Sequence, residues 1–143
     1  MEPFCYRATV VRIIDGDSVV VDIDLGFGLV LKNQNIRLYR VDTPESRTKD
    51  LKEKSAGLLA KDIVKGFIDT GSVITIKTLL DNKGKYGRIL GTIVDEKGIN
   101  LNEYLIDNAY AVEYYGQAKD NIRELHDENY KELVDRGELD AII

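Results

Sequence analysis

The run IRLYRVDTPES, Ile36 to Ser46, gathers two arginines, an aspartate and a glutamate into one short stretch. Counted by two along an extended chain, Ile36, Leu38 and Arg40 share one face and Arg37, Tyr39 and Val41 the other, so neither face is free of a guanidinium. An arginine in such a strand needs a partner for its planar fork of donors, either a carboxylate or a phosphate. Two other segments carry groups of matching chemistry. IDGDS supplies Asp17 directly after the turn signal Asp15-Gly16, and KYGR sets Tyr86 between Lys85 and Arg88.

Each motif also has a plainer reading. Asp15-Gly16 is sufficient as hairpin-turn chemistry, whereas Asp17 is expected where the second strand begins, on a rigid element. Thr43, Pro44 and Glu45 suit a helix start, as N-cap, first helical residue and first-turn acid. KYGR suits a polar hairpin connection with Gly87 at positive φ, and equally a ring placed between two phosphate-seeking cations.

Taken together the residue types point to phosphate chemistry. Two aspartates from different strands, Asp17 and Asp42, could supply an open, partly hydrated calcium-type site, because a hard divalent cation prefers carboxylate and carbonyl oxygens. Attack of water on a phosphodiester needs a base or a water-positioning group, and Glu45 stands close enough in sequence to Asp42 to act beside it. Arg37 and Arg88 would neutralise the charge that grows on the equatorial oxygens of a five-coordinate phosphorus, help worth about 3 kcal/mol per donor. In outline this is a phosphodiesterase.

The elements that must position these groups are legible from periodicity. Tyr6–Ile14 and Ser18–Leu25 are rich in β-branched residues and flank an Asp-Gly, which predicts an antiparallel pair. Gly26-Phe27-Gly28 reads as the next turn and Leu29–Val41 as a third strand. From Asp50 to Ile68 the apolar residues recur at three- and four-residue intervals, predicting an amphipathic helix ended by Asp69-Thr70-Gly71. Ser72–Leu80 and Arg88–Val94 read as two more strands across the loop DNKGKYG. Asn100 caps a short helix, with Glu103 as its capping-box partner, and Lys119–Arg136 forms a charged amphipathic helix. The order βββ-α-ββ-α-α, five strands split three and two around a helix, is that of an OB-type Greek-key barrel with three helices, an α+β and mainly β fold. The expected organisation is one domain over residues 1–143, with 118–143 as C-terminal helix and tail.

Bulk properties bound the answer. A chain of 143 residues, 43% hydrophobic, suffices for one core. No apolar run approaches the length of a membrane span, and MEPFCYRATV lacks a basic start and an apolar h-region. The expectation is therefore no membrane contact, and either a cytoplasmic protein or a secreted one already trimmed. A lone cysteine, Cys5, excludes an intrachain disulfide and a cysteine-built metal centre. The net charge of -5 argues against coating nucleic acid through a broad basic surface. Positive charge is nonetheless concentrated between Lys32 and Lys54 and at Lys83, Lys85 and Arg88, whereas the chain after Val94 holds thirteen acids and five bases.

The chain resembles the thermonuclease family, the staphylococcal nuclease-like domains, through IDGDS, RLYRVDTPE and KYGR in that order, over roughly Tyr6 to Tyr115. The resemblance implies the OB-type barrel and calcium-dependent hydrolysis of DNA and RNA, with single-stranded or frayed substrates preferred and a monomeric protein. It implies calcium binding by Asp17, Asp42 and the backbone carbonyl of Thr43. It gives Glu45 the water-activating role and Arg37 and Arg88 the phosphate. Lys85 and Tyr86 would meet a terminal phosphate, and Tyr115, with Tyr114 beside it, would line the nucleotide pocket. Ser18 departs from the family's threonine at little mechanistic cost. Arg40 departs from an uncharged position and shares a strand face with Asp42, where it would either add to substrate binding or pair with Asp42 and weaken the metal site.

A catalytically inactive binding module of the same fold is the competing reading, and the occupied positions 17, 37, 42, 45 and 88 favour the enzyme. His126, with no second histidine or cysteine near it, is expected on the surface, and zinc is not expected.

Overall fold

The computed structural model describes residues 4–83 and 89–141. Its strands β1 (Cys5–Asp15), β2 (Ser18–Gly26), β3 (Leu29–Leu38), β5 (Val73–Lys83) and β6 (Ile89–Val94) form a closed barrel in the order β1-β2-β3-β6-β5. β5 pairs back onto β1 and completes the closure. All contacts around the barrel are antiparallel except β3 against β6, which run parallel over Ile36–Leu38. Register shifts in β1 supply the local twist that a small closed sheet requires. The expected barrel with three helices, mainly β, is what the chain forms.

The interior explains the alternating apolar pattern. Val10, Val19, Val21, Ile36, Ile76 and Ile93 are fully buried inside the sheet. Helix α1 (Leu51–Phe67) covers one opening with Ala60 and Val64, α2 (Leu101–Asp107) adds Leu101 and Leu105, and α3 (Lys119–Asp135) docks through Leu133. The expected Asn100 cap forms, its side chain accepting the N–H of Glu103, and the Asp50 side chain caps α1 by accepting the N–H groups of Lys52 and Glu53. Among the described residues no helix is long and apolar enough to cross a membrane.

Two turns depart from expectation, and both bear on the site. β2 begins at Ser18, paired with Asp15, so Asp17 is a turn residue and not the first of a strand. Gly16 there has no positive φ. A Cβ at that position would lie 2.8 Å from Ala60 Cβ and 2.9 Å from Thr43 Cγ2, so this glycine serves close packing beneath α1. The third strand, expected to run to Val41, ends at Leu38. Tyr39 and Arg40 turn, with Arg40 in the left-handed region at φ 63, and Val41–Asp42 then form β4, paired antiparallel with β7 (Val112–Glu113).

A buried amide causes that break. Asn102 on α2 donates Nδ2 to the carbonyls of Tyr39 (3.0 Å) and Gly91 (3.1 Å), and its Oδ1 accepts the Ile93 N–H at 3.1 Å. The end of β3 is thereby tied to β6 and α2 instead of continuing its own ladder. Asn102→Ala should orphan buried backbone groups at a cost of about 1–3 kcal/mol each, read as a lower urea midpoint with an unchanged m-value.

Candidate active site

Register places the first partners. Arg37 pairs with Ser18 across the sheet, beside the turn that carries Asp17, and the Leu38 N–H donates to the Asp17 carbonyl at 2.9 Å. Arg37 Nη1 lies 3.4 Å from Asp17 Oδ2, and Nη2 lies 3.5 Å from Asp42 Oδ1. Nη1 also donates to the carbonyls of Val41 (2.6 Å), Asp17 (3.4 Å) and Leu38 (3.4 Å). One mostly buried guanidinium thus joins the β1–β2 turn, the end of β3 and the short β4.

Asp17 is almost as buried as its partner, and its Oδ2 also accepts the Thr43 N–H at 3.2 Å. Burial pushes its carboxyl pKa above the ordinary value of 3.8. The Arg37 charge and the Thr43 N–H pull it back, and nearby Asp42 adds to the rise. Asp17 and Asp42 thus reach the Arg37 guanidinium from different elements. Their hard oxygens fit a calcium-type ion, which would relieve the desolvated charge on Asp17. Among the described residues no three His, Cys, Asp or Glu side chains gather at metal-binding spacing. The two carboxylates are hard-oxygen donors of the kind that an open, partly hydrated divalent-cation site would use.

The segment after Asp42 is a loop, not the start of a helix; α1 begins only at Leu51. Its path is fixed by packing. A Cβ on Gly57 of α1 would meet Pro44 O at 2.6 Å and the Glu45 and Ser46 backbone at 2.8 Å, so glycine alone lets the loop lie against the helix. Ser46 Oγ donates to Asp15 Oδ1 at 2.5 Å, and Arg47 Nη2 pairs with Asp15 Oδ2 at 3.3 Å. Asp15, expected only to make a turn, therefore anchors this loop. Glu45 is exposed, and its Oε1 accepts the Arg47 N–H at 3.2 Å.

Beyond Asp42 opens a cavity of about 610 Å3 between the loop, the start of α1 and α3. Asp42, Thr43 and Glu45 line one side, and Lys119, Arg123 and His126 line α3's side. His126 is not the surface residue expected: its Nε2 lies 2.7 Å from Asp42 Oδ2 and most of its side chain is covered. The signal was present, since Ile122, His126, Tyr130 and Leu133 share one face of α3 by helical spacing.

Arg40, Tyr114 and Tyr115 stand apart from this cavity. Arg40 does not pair with Asp42; its reversed backbone directs it to an ion pair with Glu113 across the β4–β7 ribbon. Tyr114 and Tyr115 are exposed just after β7 and are not among the cavity's lining, and the Tyr114 N–H donates to the Arg40 carbonyl at 2.8 Å. Lys85, Tyr86 and Arg88 lie outside the described residues.

The raised Asp17 pKa has a defined consequence for stability. Below 3.8 the carboxyl is protonated folded and unfolded alike. As pH rises past that value the unfolded chain loses its proton first, so stability falls through the interval up to the raised folded pKa and stays lowered at neutral pH. Asp17→Asn, which keeps the neutral shape, should raise Tm at pH 7 in chelator and lose that advantage below about pH 3.8, as scanning calorimetry at both pH values would show.

The comparisons with known proteins agree with this geometry. The family model described as staphylococcal nuclease homologue matches residues 35–136. Endonuclease YhcR of Bacillus subtilis (strain 168) is 33% identical over 121 residues, covering 81% of this chain and 10% of that protein. An uncharacterized endonuclease of Escherichia coli is 31% identical over 97 residues, covering 68% of this chain and 54% of that one. The thermonuclease of Staphylococcus hyicus is 33% identical over 84 residues, 59% of this chain and 46% of that enzyme. The chain thus spans a tenth of the first relative's length and about half of the other two. With Arg37, Asp42 and Glu45 all inside the matched segment, the chain belongs to the staphylococcal nuclease homologue family.

Proposed function

We propose that residues 1–143 act as one nuclease domain that hydrolyses phosphodiester bonds of DNA and RNA with the help of calcium, single-stranded or frayed ends being the better substrates. The observation that carries this reading is the convergence of Asp17 and Asp42 on the Arg37 guanidinium. Asp17, Asp42 and the Thr43 carbonyl would hold the calcium, which supplies positive charge for a phosphate oxygen. Arg37 supplies further positive charge on the same side, through a fork already aimed by the Val41 carbonyl.

Glu45 is the group assigned to the attacking water. Its carboxylate lies on the cavity rim within the loop that Asp15 and Gly57 fix, and a modest turn away from the Arg47 N–H would free Oε1 to accept a proton. Arg88 is assigned the second phosphate contact, Lys85 and Tyr86 a terminal phosphate, all three on the family resemblance. Tyr114 and Tyr115 present exposed rings on which a base could stack. The monomer remains the expected state.

One observation favours the binding module instead: the contacts of Arg37 to acids and carbonyls occupy much of its donor capacity. Digestion of single-stranded DNA and of RNA with calcium or chelator separates the two. The nuclease reading expects calcium-dependent cleavage that drops about 10²–10³-fold in Arg37→Ala and about 10²–10⁴-fold in Glu45→Gln. Binding of either polymer without cleavage at any calcium concentration would establish the module.

A further inference from the structure

His126 is a polar group of the cavity wall that the nuclease chemistry above leaves unused. It reaches Asp42 from α3, an element outside the barrel, with Nε2 2.7 Å from Oδ2. An ionised carboxylate only accepts, so Nε2 carries the hydrogen of this bond. Nδ1 is buried and has no hydrogen-bond partner among the described residues. A ring seated with one nitrogen unsatisfied is held there by what the other nitrogen does. The position also lies at the inner face of α3, which Leu133 and the bond from Asn129 Nδ2 to the Ala111 carbonyl fasten to the body of the protein.

Asp42 needs such support. It sits on a two-residue strand, and its two oxygens are divided between two neighbours: Oδ1 faces Arg37 Nη2 at 3.5 Å and Oδ2 faces His126. Together these contacts fix the rotation of the carboxylate plane. Groups that hold a ligating carboxylate in this way govern its affinity for the ion without touching it.

We propose that His126 is a positioning residue for metal binding, holding the Asp42 carboxylate from α3 in the orientation in which it binds a divalent cation together with Asp17. This rests on the calcium reading of the same carboxylates. α3 thereby becomes part of the metal site, although it contributes no ligand.

Calcium chloride titrated into the full chain by isothermal titration calorimetry tests the proposal, with His126→Ala, His126→Gln and Asp42→Asn alongside and far-UV circular dichroism as the fold control. His126→Ala should weaken calcium binding about 10–100-fold. His126→Gln, whose amide nitrogen stands near the place of Nε2, should recover most of that loss; a role in packing alone would not produce this rescue. If Asp42→Asn abolishes binding while His126→Ala binds calcium as tightly as the unaltered protein, or if His126→Gln is as weak as His126→Ala, the proposal is overturned and the calcium reading stands. If the unaltered protein binds no calcium, both are overturned.

Discussion

The site depends on one mostly buried guanidinium. Arg37 cannot give up its charge, so the fold must surround it with acceptors, and it does so with carbonyls of Asp17, Leu38 and Val41 and carboxylates of Asp17 and Asp42. Removing the guanidinium would be costly, because two part-buried carboxylates would be left without their cation. The β1–β2 turn, the end of β3 and β4 therefore keep their relative positions. The balance is uneven: even with Arg37 beside it, Asp17 ionises less readily than a free aspartate, since burial outweighs the attraction. In the proposed calcium reading, a second cation would relieve that excess cost.

Around this centre the candidate functional groups sit on turns and short segments, and the barrel acts as the frame. Asp17 is in a turn, Asp42 on a two-residue strand and Glu45 in a loop, the places where a rigid scaffold commonly displays reactive groups. These segments are held by specific close approaches. Gly16 lets α1 settle on the hairpin, Gly57 lets the Glu45 loop settle on α1, and Asp15 ties that loop back to the hairpin through Ser46. Asn102 performs the same service at the end of β3. Hairpin, α1 and loop thus form one mechanical unit beneath the carboxylates.

Much of this was readable from sequence because it rests on local rules. Runs of Val and Ile bounded by Gly and Asp gave the barrel strands, the three- and four-residue apolar spacing after Asp50 gave α1, and Asn100 marked the start of α2 with its capping oxygen. Asp17, Arg37 and Asp42 stood out as charges carried into apolar runs. What could not be read depends on partners distant in the chain. Period-two counting failed beyond Leu38 because Asn102, more than sixty residues later, captures the Tyr39 carbonyl and the backbone reverses at Arg40. Arg40 then finds Glu113, not Asp42. Thr43 and Pro44 had the composition of a helix start, but the Asp17 carboxylate takes the Thr43 N–H and the loop is held flat on Gly57. His126 shared its face of α3 with Ile122, Tyr130 and Leu133, but its partner Asp42 lies more than eighty residues away in the chain.

The account's central claim is that the cation gathering the two aspartates is also the cation that meets the scissile phosphate. A crystal structure of the protein with calcium and a short single-stranded phosphorothioate oligonucleotide tests this most directly. The account predicts a calcium ligated by the Asp17 and Asp42 carboxylates, with a phosphate oxygen within hydrogen-bond distance of the Arg37 guanidinium. A phosphate seated elsewhere, with Arg37 still held only by Asp17, Asp42 and the Val41 carbonyl, would contradict it.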